Sequence, residues 1–208
     1  MSIELWLAYV AASAVVLIVP GPTILTVISY SVAHGRRATH AVVPGVALGD
    51  STALAVSLLG LGALLSASAA AFTAVKLAGG LYLLYLGIKM LRAGISPEQM
   101  TTRVAPDSRR RLFLNTYVVT ALNPKSIMFF VAFLPQFVNR SADVSQQLWL
   151  LAVTFVVMAT LNSSMYSFFA ASAHRFLSSA RAQRRLNLLG GSILSAAGIW
   201  ALLARHSA

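Results

Sequence analysis

The chain has 208 residues, 58% hydrophobic and only 10% charged, with 16 Lys and Arg against 5 Asp and Glu and a formal net charge of +11. Soluble domains carry about 25% charged residues, so this composition excludes an ordinary water-soluble protein and predicts an all-α integral membrane protein. The basic excess does not indicate nucleic acid, because Lys and Arg fall in connections between apolar runs, where membrane orientation accounts for them; the absence of cysteine excludes disulfides and thiolate metal sites.

Six membrane-spanning helices are predicted, over residues 5–31, 41–65, 70–91, 112–137, 148–171 and 186–204. The first run has no charged residue, and Glu4 with no basic residue before it does not make the cationic lead of a signal peptide. Near its middle stands Val19-Pro20-Gly21-Pro22-Thr23. Two prolines one residue apart remove two backbone donors and crowd the carbonyls of Val16 and Ile18, so the helix is expected to break there. At membrane depth the freed carbonyls must meet protein or a water-filled cavity, so the break marks a polar cavity.

The next long apolar run must fold back once to stay within a bilayer core of about 30 Å, and Ser66-Ala67-Ser68 is the expected turn. Asp50 lies nine residues into the second span, about 14 Å deep at 1.5 Å per residue. An acid there costs roughly 2.5–3.5 kcal/mol on insertion scales. It is expected to face a cavity or a cation and to carry a proton or hold a substrate amine, with a structural ion pair as the plainer alternative. Lys76, about six residues into the third span, is a second candidate for proton or ion coupling, although a lysine there can also snorkel to the interface. Residues 94–111 form the long polar connection and read as a cytoplasmic linker.

The fourth span carries the second break, at Asn123-Pro124-Lys125, which should free the carbonyl of Thr120 and add an amide and an ammonium group. Matching interruptions in two halves are the sequence pointer to a transporter binding site. An ammonium beside half-helix N–H donors suits a substrate carboxylate, and Lys125 could equally serve only as a partner for Asp50. Asn162 occupies the fifth span about where Asp50 occupies the second; it could line the site or simply bond between helices.

Charge placement supports six spans. Arg36 and Arg37, the six basic residues from Lys89 to Arg111 and the four from Arg175 to Arg185 all fall on one side, against Arg140 and Arg205 on the other. By the positive-inside rule both termini are expected outside. Leu77–Arg92 also matches Leu188–Leu203 at Leu77, Gly79, Gly80, Leu83, Gly87, Ile88 and Leu91. Three spans per half is odd, so the halves would be inverted repeats. The expected plan is a single membrane domain, with residues 1–93 and 112–208 as the two three-helix repeats, the first helix of each broken at proline. The glycines could also serve only to let helices approach closely.

The substrate-binding candidates are therefore Pro20, Gly21, Pro22, Thr23, Asn123, Pro124, Lys125 and Asn162, with Asp50 and Lys76 for coupling. No paired-acid motif, HExxH, serine elbow or phosphate loop is present, so no enzyme, metal or cofactor is expected. The transporter reading, whose cargo could be any of several small solutes, competes with a non-transporting membrane enzyme or structural subunit.

Val-Pro-Gly-Pro at 19–22, Gly45-Val46-Ala47-Leu48-Gly49-Asp50, the stretch from Lys76 to Gly87, and Leu122-Asn123-Pro124-Lys125 followed by Phe133-Leu134-Pro135-Gln136-Phe137 resemble the LysE/RhtB family of amino-acid exporters. The resemblance runs in order over nearly the whole chain, apart from the middle linker. It implies a multi-pass, homodimeric protein of the bacterial inner membrane that exports amino acids or their analogues on a proton or ion gradient. The shared motifs do not sort the substrates of its members.

Overall fold

The computed structural model describes residues 1–67, 69–92, 108–138, 142–170, 172–173 and 179–203, and these contain helices and no strand. They form α1 (Ile3–Ile18), α2 (Pro22–His34), α3 (Thr39–Ala67), α4 (Ala69–Arg92), α5 (Arg109–Ala121), α6 (Pro124–Ala132), α7 (Val144–Phe168) and α8 (Ala180–Leu203), with 3-10 turns at Gly35–Ala38 and Leu134–Phe137. Three continuous stretches, Pro22–Gly60, Arg109–Phe137 and Val144–Phe168, are each long and apolar enough to cross a bilayer. The expected linker up to residue 107, Ser68 at the end of the expected turn and the Lys76 side chain lie outside the described residues, while Ser66 and Ala67 of that turn belong to the end of α3.

Both breaks fall where the prolines require them. Helix α1 stops at Ile18 and α2 starts with Pro22; α5 stops at Ala121 and α6 starts with Pro124. Each proline sits at the first helical position, where its missing N–H costs nothing and its fixed φ suits the first turn. Asn123 caps α6, its Oδ1 accepting the Lys125 backbone N–H at 3.1 Å. Gly35, with φ of 64°, ends α2 and turns the chain into α3.

Apolar side chains point both ways, as they must when the solvent is hydrocarbon. The core holds Val27, Val42, Val46, Phe129, Phe130, Leu151 and Phe155, while Val153, Val157, Leu161 and Met165 form an exposed stripe along α7. Between helices, small residues rather than the hydrophobic effect permit close packing. A Cβ at Gly49 of α3 would lie 2.6 Å from Thr120 Cβ and 2.9 Å from the Tyr117 carbonyl of α5. Helices α4 and α8 run antiparallel in near backbone contact: a Cβ at Gly87 would lie 2.5 Å from Ser195 N, one at Gly191 2.8 Å from Gly87 O, and one at Gly198 2.8 Å from Gly80 O.

A side chain at Gly87 must therefore push two backbones apart. Gly87→Leu is expected to cost about 1–3 kcal/mol or more and to lower the yield of folded protein in the membrane. Gly60→Leu, at a position with no neighbour within 4 Å, should leave both yield and melting temperature unchanged. Equal behaviour of the two variants in a thermal unfolding assay would refute this packing.

Candidate functional site

The end of α1 sets up the site, because a helix that stops inside a membrane leaves its last carbonyls without partners. The neighbouring helices supply donors to them one by one. Val15 O takes the Val19 N–H at 3.2 Å. Val16 O and Val19 O both accept from Lys125 Nζ of α6, at 2.9 and 2.7 Å. Leu17 O accepts from Asn162 Nδ2 at 3.1 Å, and Ile18 O from the Tyr166 hydroxyl at 3.0 Å. Of these consecutive carbonyls only the first is satisfied locally; α6 and α7 answer all the others.

The second break is tighter. The Thr120 carbonyl, expected to be free, accepts the Asn123 N–H at 3.1 Å. A local turn absorbs the loss, since only one proline interrupts this helix where two interrupt the first. Asn123, 3% exposed, instead links the two breaks: its Nδ2 donates to Thr23 Oγ1 at 3.0 Å. Thr26 turns back to bond Pro22 O at 2.9 Å.

Between the breaks lies a cavity of about 20 Å³, room for about one water. Gly21, Thr23, Asp50, Asn123, Lys125 and Asn162 supply its polar and flexible wall, together with Ser126; Val16, Leu17, Ile24, Val46 and Ala159 supply the apolar wall. Of the residues expected at the site, Gly21, Thr23, Asn123, Lys125, Asn162 and Asp50 are thus brought together. Pro20, Pro22 and Pro124 shape the breaks without lining this cavity. Lys76 belongs to α4, and its side chain is outside the described residues. Asp50 is 3% exposed, and its Oδ1 has no hydrogen-bond partner. It interacts with the Lys125 charge and with Ser126.

A Cβ on Gly21 would come within 3.1 Å of Lys125 Nζ, so glycine there leaves the ammonium its place against the carbonyls.

Beyond the cavity lie two clusters of different chemistry. Toward the start of α1, Tyr9, Phe129, Phe133, Phe137, Phe130 and Phe155 stack in one cluster, with Phe130 and Phe155 edge-to-face at 4.7 Å and Tyr9 and Phe137 at 5.3 Å. Toward the end of α2, the Ser167 hydroxyl meets those of Ser31 and Thr39, each at 2.7 Å. Sequence reasoning missed Tyr166 and this hydroxyl cluster. Tyr166 is one helical turn beyond Asn162, so the i, i+4 spacing that puts both on one face was the available signal.

Comparison with known proteins identifies the family of the chain. The family model for LysE type translocators matches residues 14–205. The chain is 31% identical over 207 residues to the homoserine/homoserine lactone efflux protein of Salmonella typhi, covering 100% of both chains. It is 28% identical over 187 residues to the leucine efflux protein of an Enterobacter species, covering 89% of this chain and 87% of the relative. An uncharacterized membrane protein of Vibrio cholerae is 32% identical over 199 residues, covering 96% and 97%. No solved structure gives a significant match. The family is one of transporters and not of enzymes, and the chain belongs to it: this is a LysE type translocator.

Proposed function

We propose that the protein exports neutral amino acids or close analogues from the cytoplasm by alternating access around the cavity between the two breaks, driven by the proton gradient. The observation that carries this reading is the balance of charge in that cavity: one buried carboxyl, Asp50, and one ammonium, Lys125, among uncharged residues. A zwitterion satisfies both and leaves no charge for a basic or acidic side chain. The substrate carboxylate meets the remaining Lys125 N–H and the N-terminal turn of α2 at Gly21 and Thr23, with Asn123 and Asn162 bracketing it, while Pro20, Pro22 and Pro124 keep the half-helices open. Asp50 takes the proton or the substrate amine. Lys76 is retained as a coupling candidate on its depth in α4 alone.

A cavity that holds about one water must widen to admit an amino acid. The aromatic cluster and the hydroxyl cluster are the two gates that part alternately. The names of the Salmonella and Enterobacter relatives, homoserine and leucine efflux proteins, support a neutral substrate. Efflux of labelled homoserine, leucine and threonine from proteoliposomes, with lysine and glutamate for comparison, tests the proposal. Movement of the neutral compounds alone is expected; transport restricted to lysine or glutamate, or no transport of any, defeats it.

We further propose one membrane domain of six spans, arranged as inverted repeats over residues 1–93 and 112–208 with 94–111 as a cytoplasmic linker. Support comes from the α4–α8 contact: the internal match equates Gly80 with Gly191 and Gly87 with Gly198, and the contacts Gly87–Gly191 and Gly80–Gly198 exchange with each other under that equivalence. The packing of α3 on α5 and α6 is likewise mirrored by that of α7 on α1 and α2. Both termini would then be periplasmic in a bacterial inner membrane. Single cysteines replacing Ala142, Ser108 and Ser179 of this cysteine-free chain check the topology: the first should react from outside and the other two only from inside. A homodimer remains part of the proposal, and its mass in detergent decides it.

A further inference from the structure

Lys125 does more at the first break than face a ligand. Its ammonium group donates to Val16 O at 2.9 Å and to Val19 O at 2.7 Å, two carbonyls that the break at Pro20 and Gly21 leaves without helical partners. These oxygens lie at the C-terminal end of α1, the negative end of its dipole. In broken-helix transporters, unwound carbonyls and half-helix C-terminal ends are where a coupling cation is coordinated. Here a side chain of α6 has put a positive charge on that spot. Gly21 helps to keep it there, because a Cβ would come within 3.1 Å of Nζ and 3.3 Å of Cε.

We infer that the Lys125 ammonium is a tethered cation, held where a monovalent metal ion would otherwise bind, so that this translocator neither binds nor requires Na⁺ or K⁺. The inference rests on the cavity assigned above as the substrate site, but it concerns an ion and not the amino acid. Two of the three ammonium donors are spent on the broken helix. The third is left for the cavity that Lys125 lines, where it can meet a substrate carboxylate, as a shared metal ion would. A covalently attached cation does not leave with the substrate or exchange with the medium, so the electrochemical gradient must be tapped elsewhere in the site. Asp50, with its unpartnered Oδ1, is the group placed to do so.

The test uses the purified full chain and two kinds of measurement. First, the melting temperature of the wild-type protein is followed as choline is exchanged for Na⁺ and for K⁺ at constant ionic strength. No saturable shift is expected; a saturable rise with either metal ion overturns the inference, whether or not the protein is found to move amino acids. Secondly, Lys125→Ala opens the position. The variant should melt lower than wild type and be restored saturably by ethylammonium, a free mimic of the missing side-chain end, with no such effect on wild type. A folded Lys125→Ala protein that melts like wild type, or that ignores ethylammonium, Na⁺ and K⁺ alike, also overturns it. If the variant does not fold, the wild-type ion exchange decides. Failure of amino-acid efflux with unchanged ion indifference would sink the transport reading and leave this one standing.

Discussion

Asp50→Asn is expected to reduce gradient-driven efflux to the level of protein-free liposomes while the protein still accumulates in the membrane. The carboxyl is 3% exposed in the middle of α3, and its Oδ1 has no hydrogen-bond partner. A buried polar atom left so costs about 1–3 kcal/mol, and an ionisable group at this depth costs more if charged. A residue kept for stability alone would be fully partnered. The isosteric amide removes the titration and keeps the shape, so the melting temperature should stay within a few degrees of wild type. Counterflow separates the two roles open to Asp50. If it carries only the proton, exchange of amino acid without a gradient survives in Asp50→Asn; if it holds the substrate amine, exchange is lost as well. Normal gradient-driven efflux by a well-folded Asp50→Asn protein would remove Asp50 from the mechanism.

Lys125→Met is expected to have the opposite signature, a large loss of stability. Methionine fills similar space but donates nothing to Val16 O or Val19 O, which receive Lys125 Nζ at 2.9 and 2.7 Å. Two buried carbonyls deprived of partners cost about 2–6 kcal/mol together, at about 1–3 kcal/mol each. Hydrocarbon offers no substitute donor. Lys125→Arg keeps the charge but must fit a wider, planar head beside Gly21, so it should fall between wild type and Lys125→Met in thermal unfolding. If Lys125→Met unfolds at the wild-type temperature, the ammonium is not what holds the end of α1.

Much of this architecture is written into local chemistry that a sequence exposes. Proline cannot donate, so the interruptions at Pro20, Pro22 and Pro124 were legible, and so was the need to bury Asp50 within the protein. The expected helix starts and ends fall within six residues of the observed ones; α8, for example, begins at Ala180 against an expected 186. Hidden from the sequence was who answers whom. Nothing in the run around Lys125 says that its ammonium reaches back to the carbonyls of α1, more than a hundred residues away in the chain. Tyr166 went unremarked in an apolar helix, yet its hydroxyl completes the set at Ile18 O. The freed carbonyl expected at Thr120 was closed by a single local N–H, a detail of turn geometry that residue identity does not specify. Glycine pairs were ambiguous between repeat and close packing, and the contacts of Gly80, Gly87, Gly191 and Gly198 show the close packing directly.

The idea on which everything turns is that the small cavity between the two breaks is where the amino acid sits. Ser126, 6% exposed, lines that cavity, and the chain has no native cysteine. The rate at which a small methanethiosulfonate reagent labels Ser126→Cys in proteoliposomes, with and without amino acid, is therefore the direct measurement. Each amino acid that the efflux assay shows to be transported should slow labelling severalfold at saturation, and glutamate should not. An unchanged labelling rate in saturating transported substrate would place the binding site somewhere else.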